Sequence, residues 1–252
     1  MMQSLGWAAL GTGFTFGMTT LGAAMVFFLS KEPKPSFQRA LLGFSAGVMT
    51  AASVWSLLLP AIEQAEETGQ FPGWLPAAAG MLLGVTFLAA LDGLLPHLRK
   101  KPLTETNRQN TLLMTAITLH NIPEGMAVGL AFALAAEGEG VAGAAALALG
   151  IGIQNFPEGA AIALPLRQEG RSRRRAFCGG MLSGSVEPVF GILVVLAAAW
   201  AHPLMPWLLS FAAGAMLYVV VEELVPQAHS RAGTCGFVAG FLVMMVLDVA
   251  LG

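Results

Sequence analysis

The feature that most restricts this chain is a succession of apolar runs, each about as long as a bilayer is thick. A helix needs about 20 apolar residues to cross the hydrocarbon core, and eight such stretches can be marked along the 252 residues. They run roughly from Leu5 to Ser30, Phe37 to Ile62, Trp74 to Leu98, Arg108 to Ala136, Val141 to Arg167, Ala176 to Ala201, Pro203 to Pro226, and Cys235 to Leu251. The sixth and seventh are joined by little more than His202–Pro203, which predicts a tight hairpin. Charged residues are 11% of the chain and mean hydropathy is +0.70, whereas soluble domains carry roughly a quarter charged residues. The expected fold is an all-α integral membrane protein of eight transmembrane helices in one domain over residues 1–252. Spans one to three cover about 5–98, four and five about 108–167, and six to eight about 176–251.

Charge is segregated by loop. All 13 Lys and Arg lie in or beside alternate connections: Lys31, Lys34 and Arg39; Arg99, Lys100, Lys101 and Arg108; Arg167, Arg171 and Arg173 to Arg175; and Arg231. The intervening loops hold Glu63, Glu66, Glu67, Glu137 and Glu139 without a cation. Cations stay on the cytoplasmic side of a membrane, so the pattern predicts both termini outside. No cation precedes the first apolar stretch, which is therefore read as a retained span and not a cleaved leader. Cys178 and Cys235 are too few for a disulfide framework or a thiolate metal site. The net charge of −2, without a basic helix, gives no reason to expect a nucleic-acid partner.

Two repeats stand out. Leu41-Leu42-Gly43-Phe44-Ser45-Ala46-Gly47-Val48-Met49 echoes Leu208-Leu209-Ser210-Phe211-Ala212-Ala213-Gly214-Ala215-Met216, and both copies run on to a proline, Pro60 and Pro226. Spans two and seven cross in opposite directions, so the copies are inverted, as is common in secondary transporters. The sharper repeat pairs His120-Asn121-Ile122-Pro123-Glu124-Gly125 with Gln154-Asn155-Phe156-Pro157-Glu158-Gly159 in the next span.

The intramembrane acids are Asp92, Glu124, Glu158, Glu187, Glu222, Glu223 and Asp248. An ionised carboxylate at the bilayer centre costs about 2.5–3.5 kcal/mol on insertion scales, and no span interior offers a Lys or Arg to offset it. Protons or a metal cation must supply the positive charge. His120 and Glu124 are four apart and share a helix face, flanked by Asn121; Gln154, Asn155 and Glu158 repeat the arrangement. Pro123 and Pro157 each remove a backbone donor, and carbonyls so released are tolerable where they line a cavity. Imidazole and carboxylate suit Zn²⁺, but without cysteine the site cannot exclude Fe²⁺, Mn²⁺ or Cd²⁺ by softness. Plainer roles stay open: interhelical hydrogen bonding for Asn121 and Asn155, a structural acid at Glu187, a place near an aqueous mouth for Asp92 and Glu223, and structural histidines at His202 and His229.

The paired motif resembles that of the ZIP (Zrt-, Irt-like) metal transporters, and the Gln-Asn-x-Pro-Glu form of span five resembles their prokaryotic GufA-like branch. The resemblance implies eight spans arranged 3+2+3 with inverted outer triplets, and a two-metal site between spans four, five and six. By position, His120, Glu124, Gln154 and Glu158 would hold one metal; Asn121, Asn155 and Glu187 would hold the other, with Glu124 and Glu158 bridging. Asp92, Glu222 and Glu223 resemble pathway positions. The family often has an acid where Asn155 stands, and His where Gln154 and Glu222 stand. The implied function is zinc uptake across a prokaryotic plasma membrane, with Zn²⁺ as substrate and no cofactor; a homodimer is compatible with it. The alternatives are a passive cation channel, a proton-coupled solute carrier, and an intramembrane zinc hydrolase, although the chain lacks the His-Glu-x-x-His string of such enzymes.

Overall fold

The computed structural model describes residues 2–28, 34–69, 71–98, 105–136, 140–168, 170–200 and 202–251, and no strand occurs among them. Among the described residues, eight helical rods follow one another: α1 (Met2–Phe27), α2 (Pro35–Thr68), α3 (Trp74–Leu98), α4 (Glu105–Leu134), α5 (Val141–Gln168), α6 (Arg173–Trp200), α7 (Met205–Ala228) and α8 (Arg231–Leu251). Seven are long and apolar enough to cross a bilayer; in α4 the described apolar stretch is the shorter Asn121–Leu134. The hairpin expected between the sixth and seventh spans contains a 3-10 turn at His202–Leu204.

Proline decides where the rods deviate. α4 and α5 contain Pro123, Pro157 and Pro165 within continuous helix. α6 is divided into Arg173–Gly184 and Val186–Trp200, with the junction at Ser185. Pro188 explains the break, because it has no N–H for the Gly184 carbonyl and its ring crowds that position. In α2 and α7 the accommodation is different: each has a wider π turn, Ser53–Leu58 and Val220–Leu224, just before its proline. The extra residue loosens the hydrogen-bond ladder where the ring must fit.

The rods pack as two groups of four. α1, α4, α5 and α6 pack on one another; α2, α3, α7 and α8 do the same, and α4 and α5 meet α7, α2 and α8 across the seam. In the second group the sequence repeat becomes a repeat of contacts. Gly80 and Gly84 of α3 lie against the carbonyls of Trp207 and Phe211 on α7, while Gly236 and Gly240 of α8 lie against those of Ala40 and Phe44 on α2. Gly47 and Gly214, equivalent in the repeat, abut the carbonyls of Phe237 and Met81 in turn. Close backbone approach through small residues replaces the hydrophobic drive that is missing between helices in lipid.

These contacts leave no space for a methyl group. Gly214→Ala should therefore destabilise the folded protein by about 1–3 kcal/mol. Gly17→Ala, where a Cβ meets nothing within 4 Å, should be neutral or slightly stabilising. Thermal unfolding of the two variants in one detergent measures the difference.

Candidate functional site

The site grows from the duplicated motif. α4 contributes Asn121 and Glu124, α5 contributes Gln154, Asn155 and Glu158, and α6 contributes Glu187. Glu124, Gln154, Asn155 and Glu187 have no exposed surface and Glu158 has 5%. His120 is on the helical backbone of α4 next to Asn121, but its side chain lies outside the described ones.

The glycine that ends each motif copy sets the depth of the site. The α6 backbone at Glu187 crosses directly over Gly125, and the α1 backbone at Thr19 crosses directly over Gly159. A side chain at either glycine would push the crossing helix away. The break at Ser185 puts Glu187 in the first turn of the second α6 segment. It also leaves the last carbonyls of the first segment without helical donors, and Asn121 Nδ2 donates to one of them, Ser183 O, at 2.8 Å.

Hydrogen bonds join the three helices. Gln154 Nε2 donates to Glu124 Oε1 at 2.8 Å, and Asn155 Nδ2 donates to Glu187 Oε2 at 3.0 Å. Thr19 Oγ1 of α1 donates to the other oxygen, Glu187 Oε1, at 3.1 Å. The three carboxylates lie within electrostatic reach of one another. Asn121 Oδ1, Glu124 Oε2, Gln154 Oε1 and Asn155 Oδ1 are buried without a hydrogen-bond partner. All four are acceptors, and all belong to residues singled out from the motif. Buried acceptors are rarely left unmatched in a native fold, and a cation is the partner that several oxygens can share. No three described His, Cys, Asp or Glu side chains form a ready-made ion cage.

The weaker pathway residues gather elsewhere. Asp92 is exposed on α3 and accepts a long hydrogen bond, 3.4 Å, from Tyr218 Oη of α7. Glu222 is exposed and Glu223 half-buried in the π turn of α7, and both lie within electrostatic reach of Tyr218. Asp248 on α8 accepts from Ser56 of the α2 π turn at 2.6 Å. Cys178 and Cys235 are exposed free thiols. The sequence reading missed Thr19 and Tyr218. For Thr19 one sign was available: Thr12, Thr15 and Thr19 recur at helical spacing, and all three prove buried.

Fold and site together define a class, a polytopic all-α membrane protein with a buried cluster of acids and amides between its helices. Comparison with known proteins narrows the class. A family model described as ZIP zinc transporter matches residues 100–248. The chain is 38% identical to "Zinc transporter ZIP11" of Xenopus tropicalis, over 100% of this chain and 98% of that one. It is 40% identical to "Zinc transporter GufA" of Myxococcus xanthus, with 93% and 94% covered. With "Zinc transporter ZIPB" of Bordetella bronchiseptica it shares 38% identity, over 98% of this chain and 82% of the relative. The chain belongs to the ZIP family.

The link between Asn155 and Glu187 is open to test by stability alone. Asn155→Leu removes a donor from a buried carboxylate and should cost about 2 kcal/mol. Adding Glu187→Met should recover most of that loss, because both partners are then apolar. Thermal unfolding of the metal-free single and double variants provides the comparison.

Proposed function

We propose that this protein carries divalent transition-metal ions, zinc first, across a prokaryotic plasma membrane toward the cytoplasm. The observation that carries the reading is the set of buried, unmatched oxygens on Asn121, Glu124, Gln154 and Asn155, beside three carboxylates with no cationic side chain in any span interior. Its named ZIP relatives are zinc transporters, which supports Zn²⁺ as substrate and not as a resident cofactor. The oxygen-rich donor set leaves Cd²⁺, Fe²⁺ and Mn²⁺ as competitors.

In this reading one metal is held by His120, Glu124, Gln154 and Glu158. A second is held by Asn121, Asn155 and Glu187, with Glu124 and Glu158 shared. A single membrane domain carries the whole site, so one chain supplies every donor and a homodimer would hold two sets. Both termini face outward, and the basic connections lie in the cytoplasm. A hydrated ion arrives at the acidic outer end of α2, where Glu63, Glu66 and Glu67 are exposed. It exchanges water for carboxylate, amide and imidazole donors, and leaves inward when the group of α1, α4, α5 and α6 rocks against the other four helices. Asp92, Glu222 and Glu223 line part of that route. Because metal and protons compete for the same carboxylates, uptake falls as the medium becomes more acidic. Catalysis has no part in this scheme.

Zn²⁺ flux into proteoliposomes tests it. Wild type should saturate with Zn²⁺ and be inhibited by Cd²⁺, while Glu124→Ala and Glu158→Ala should each lose at least about tenfold of the flux and still fold. Unchanged uptake by Glu158→Ala would sink the scheme. Flux that never saturates would favour a passive channel.

A further inference from the structure

The site as read from the motif uses α4, α5 and α6, yet the helix laid across the end of the α5 motif is α1. It crosses over Gly159 at Thr19, as α6 crosses over Gly125 at Glu187. Gly125 and Gly159 are equivalent positions of the duplicated motif, so Thr19 occupies in one half of the molecule the place that Glu187 occupies in the other. The crossing is tight from several directions. Gly22 of α1 abuts the Phe156 carbonyl, and a Cβ at Gly184 of α6 would meet Thr19 Cβ and Cγ2 at 2.9 Å and Glu187 Oε1 at 3.1 Å. Thr19 is 1% exposed and Glu187 is wholly buried.

Donors from two helices therefore hold the two oxygens of Glu187: Thr19 Oγ1 on Oε1 at 3.1 Å and Asn155 Nδ2 on Oε2 at 3.0 Å. The Thr15 hydroxyl, one turn earlier, also lies near this carboxylate, although its own proton goes to Thr12 O at 3.1 Å. Thr19 has a second acceptor within range, the Thr15 carbonyl at 3.3 Å. A hydroxyl has one proton to give, and the nearer acceptor is Glu187. If Glu187 turns away, the proton has another buried acceptor waiting. On the Oε1 edge the carboxylate is thus held without being locked, since its release leaves the Thr19 hydroxyl matched.

We infer that Thr19 is a positioning residue for Glu187: its hydroxyl holds the Oε1 edge and keeps the carboxylate facing the metal site. The inference rests on the proposed role of Glu187 as a ligand. Groups that orient a ligand commonly change metal affinity by about 10–100-fold when removed. Thr12, on the same buried face, bonds only to its own helix at Ala8 O, 2.7 Å away, and packs on Gly191. It therefore serves as the control for packing of α1.

The experiment is Zn²⁺ uptake by proteoliposomes, with KM and maximal rate measured separately, for Thr19→Val, Thr19→Ser, Thr12→Val, Glu187→Ala and the Thr19→Val/Glu187→Ala double variant. Folding is verified by size-exclusion chromatography and thermal unfolding. Thr19→Val should raise KM about tenfold with maximal rate within about twofold. Thr19→Ser, which keeps the hydroxyl, and Thr12→Val should match wild type. The double variant should be no worse than Glu187→Ala alone, because Thr19 acts only through Glu187. A wild-type KM for Thr19→Val beside an impaired Glu187→Ala overturns this inference and leaves the site intact. Equal damage from Thr19→Val and Thr19→Ser, or further loss in the double variant, also overturns it by assigning Thr19 to packing alone. Wild-type uptake by Glu187→Ala overturns the role of Glu187 itself, and this inference with it.

Discussion

Three carboxylates, Glu124, Glu158 and Glu187, are buried within electrostatic reach of one another among α4, α5 and α6. Everything around them is organised by the problem of keeping like charges there. A soluble protein would often solve it with an arginine or lysine, but these span interiors contain none. Neutral donors take that place: the amides of Gln154 and Asn155 and the hydroxyl of Thr19 each satisfy one carboxylate oxygen. Such bonds orient the acids without cancelling their charge. A fixed cation would bind the carboxylates permanently, whereas neutral donors leave room for a cation that arrives and departs. In the transport reading proposed for the cluster, that distinction separates a site for cargo from a structural ion pair.

The same need explains the packing. Donors on different helices can reach one carboxylate only if the backbones come close, and closeness requires the absence of side chains. Gly125 and Gly159 end the two motif copies because another helix crosses each of them. The crossing over Gly125 delivers an acid and that over Gly159 delivers a hydroxyl, so similar backbone arrangements carry different chemistry. In the other four helices, the matched contacts of Gly80, Gly84, Gly236 and Gly240 repeat one interface twice. That group carries the two π turns that precede a proline, with Glu222 and Glu223 on α7 and Ser56 on α2. In both halves of the repeat, the turn that makes room for proline thus also carries polar groups.

Much of this was legible in the residue order, for identifiable reasons. Apolar runs as long as the bilayer permit little besides helices, so the rods could be marked with no knowledge of their packing. The acid-bearing motif is local: helical periodicity alone puts Glu124 three residues from Asn121, and Glu158 four from Gln154. The echo between the segments beginning at Leu41 and Leu208 was visible because matched interfaces require matched small residues. The break at Ser185 was not anticipated, since Pro123, Pro157 and Pro165 are all carried within unbroken helix. Whether a proline is absorbed or breaks a rod depends on what packs beside it.

The sequence by itself determined the solvent, the rods, the internal duplication and the acids that need a positive partner, because each follows from neighbours along one helix. Tertiary structure alone decided which groups meet. Nothing in the order of residues joins Thr19 to Glu187, or Tyr218 to Asp92, since those pairs lie 168 and 126 positions apart. Their meeting depends on how closely the helices approach, and for Thr19 and Glu187 that approach is set by Gly159 on a third helix and by the break at Ser185, two residues from the acid. Periodicity describes the face a helix presents; only the packed bundle selects what that face touches.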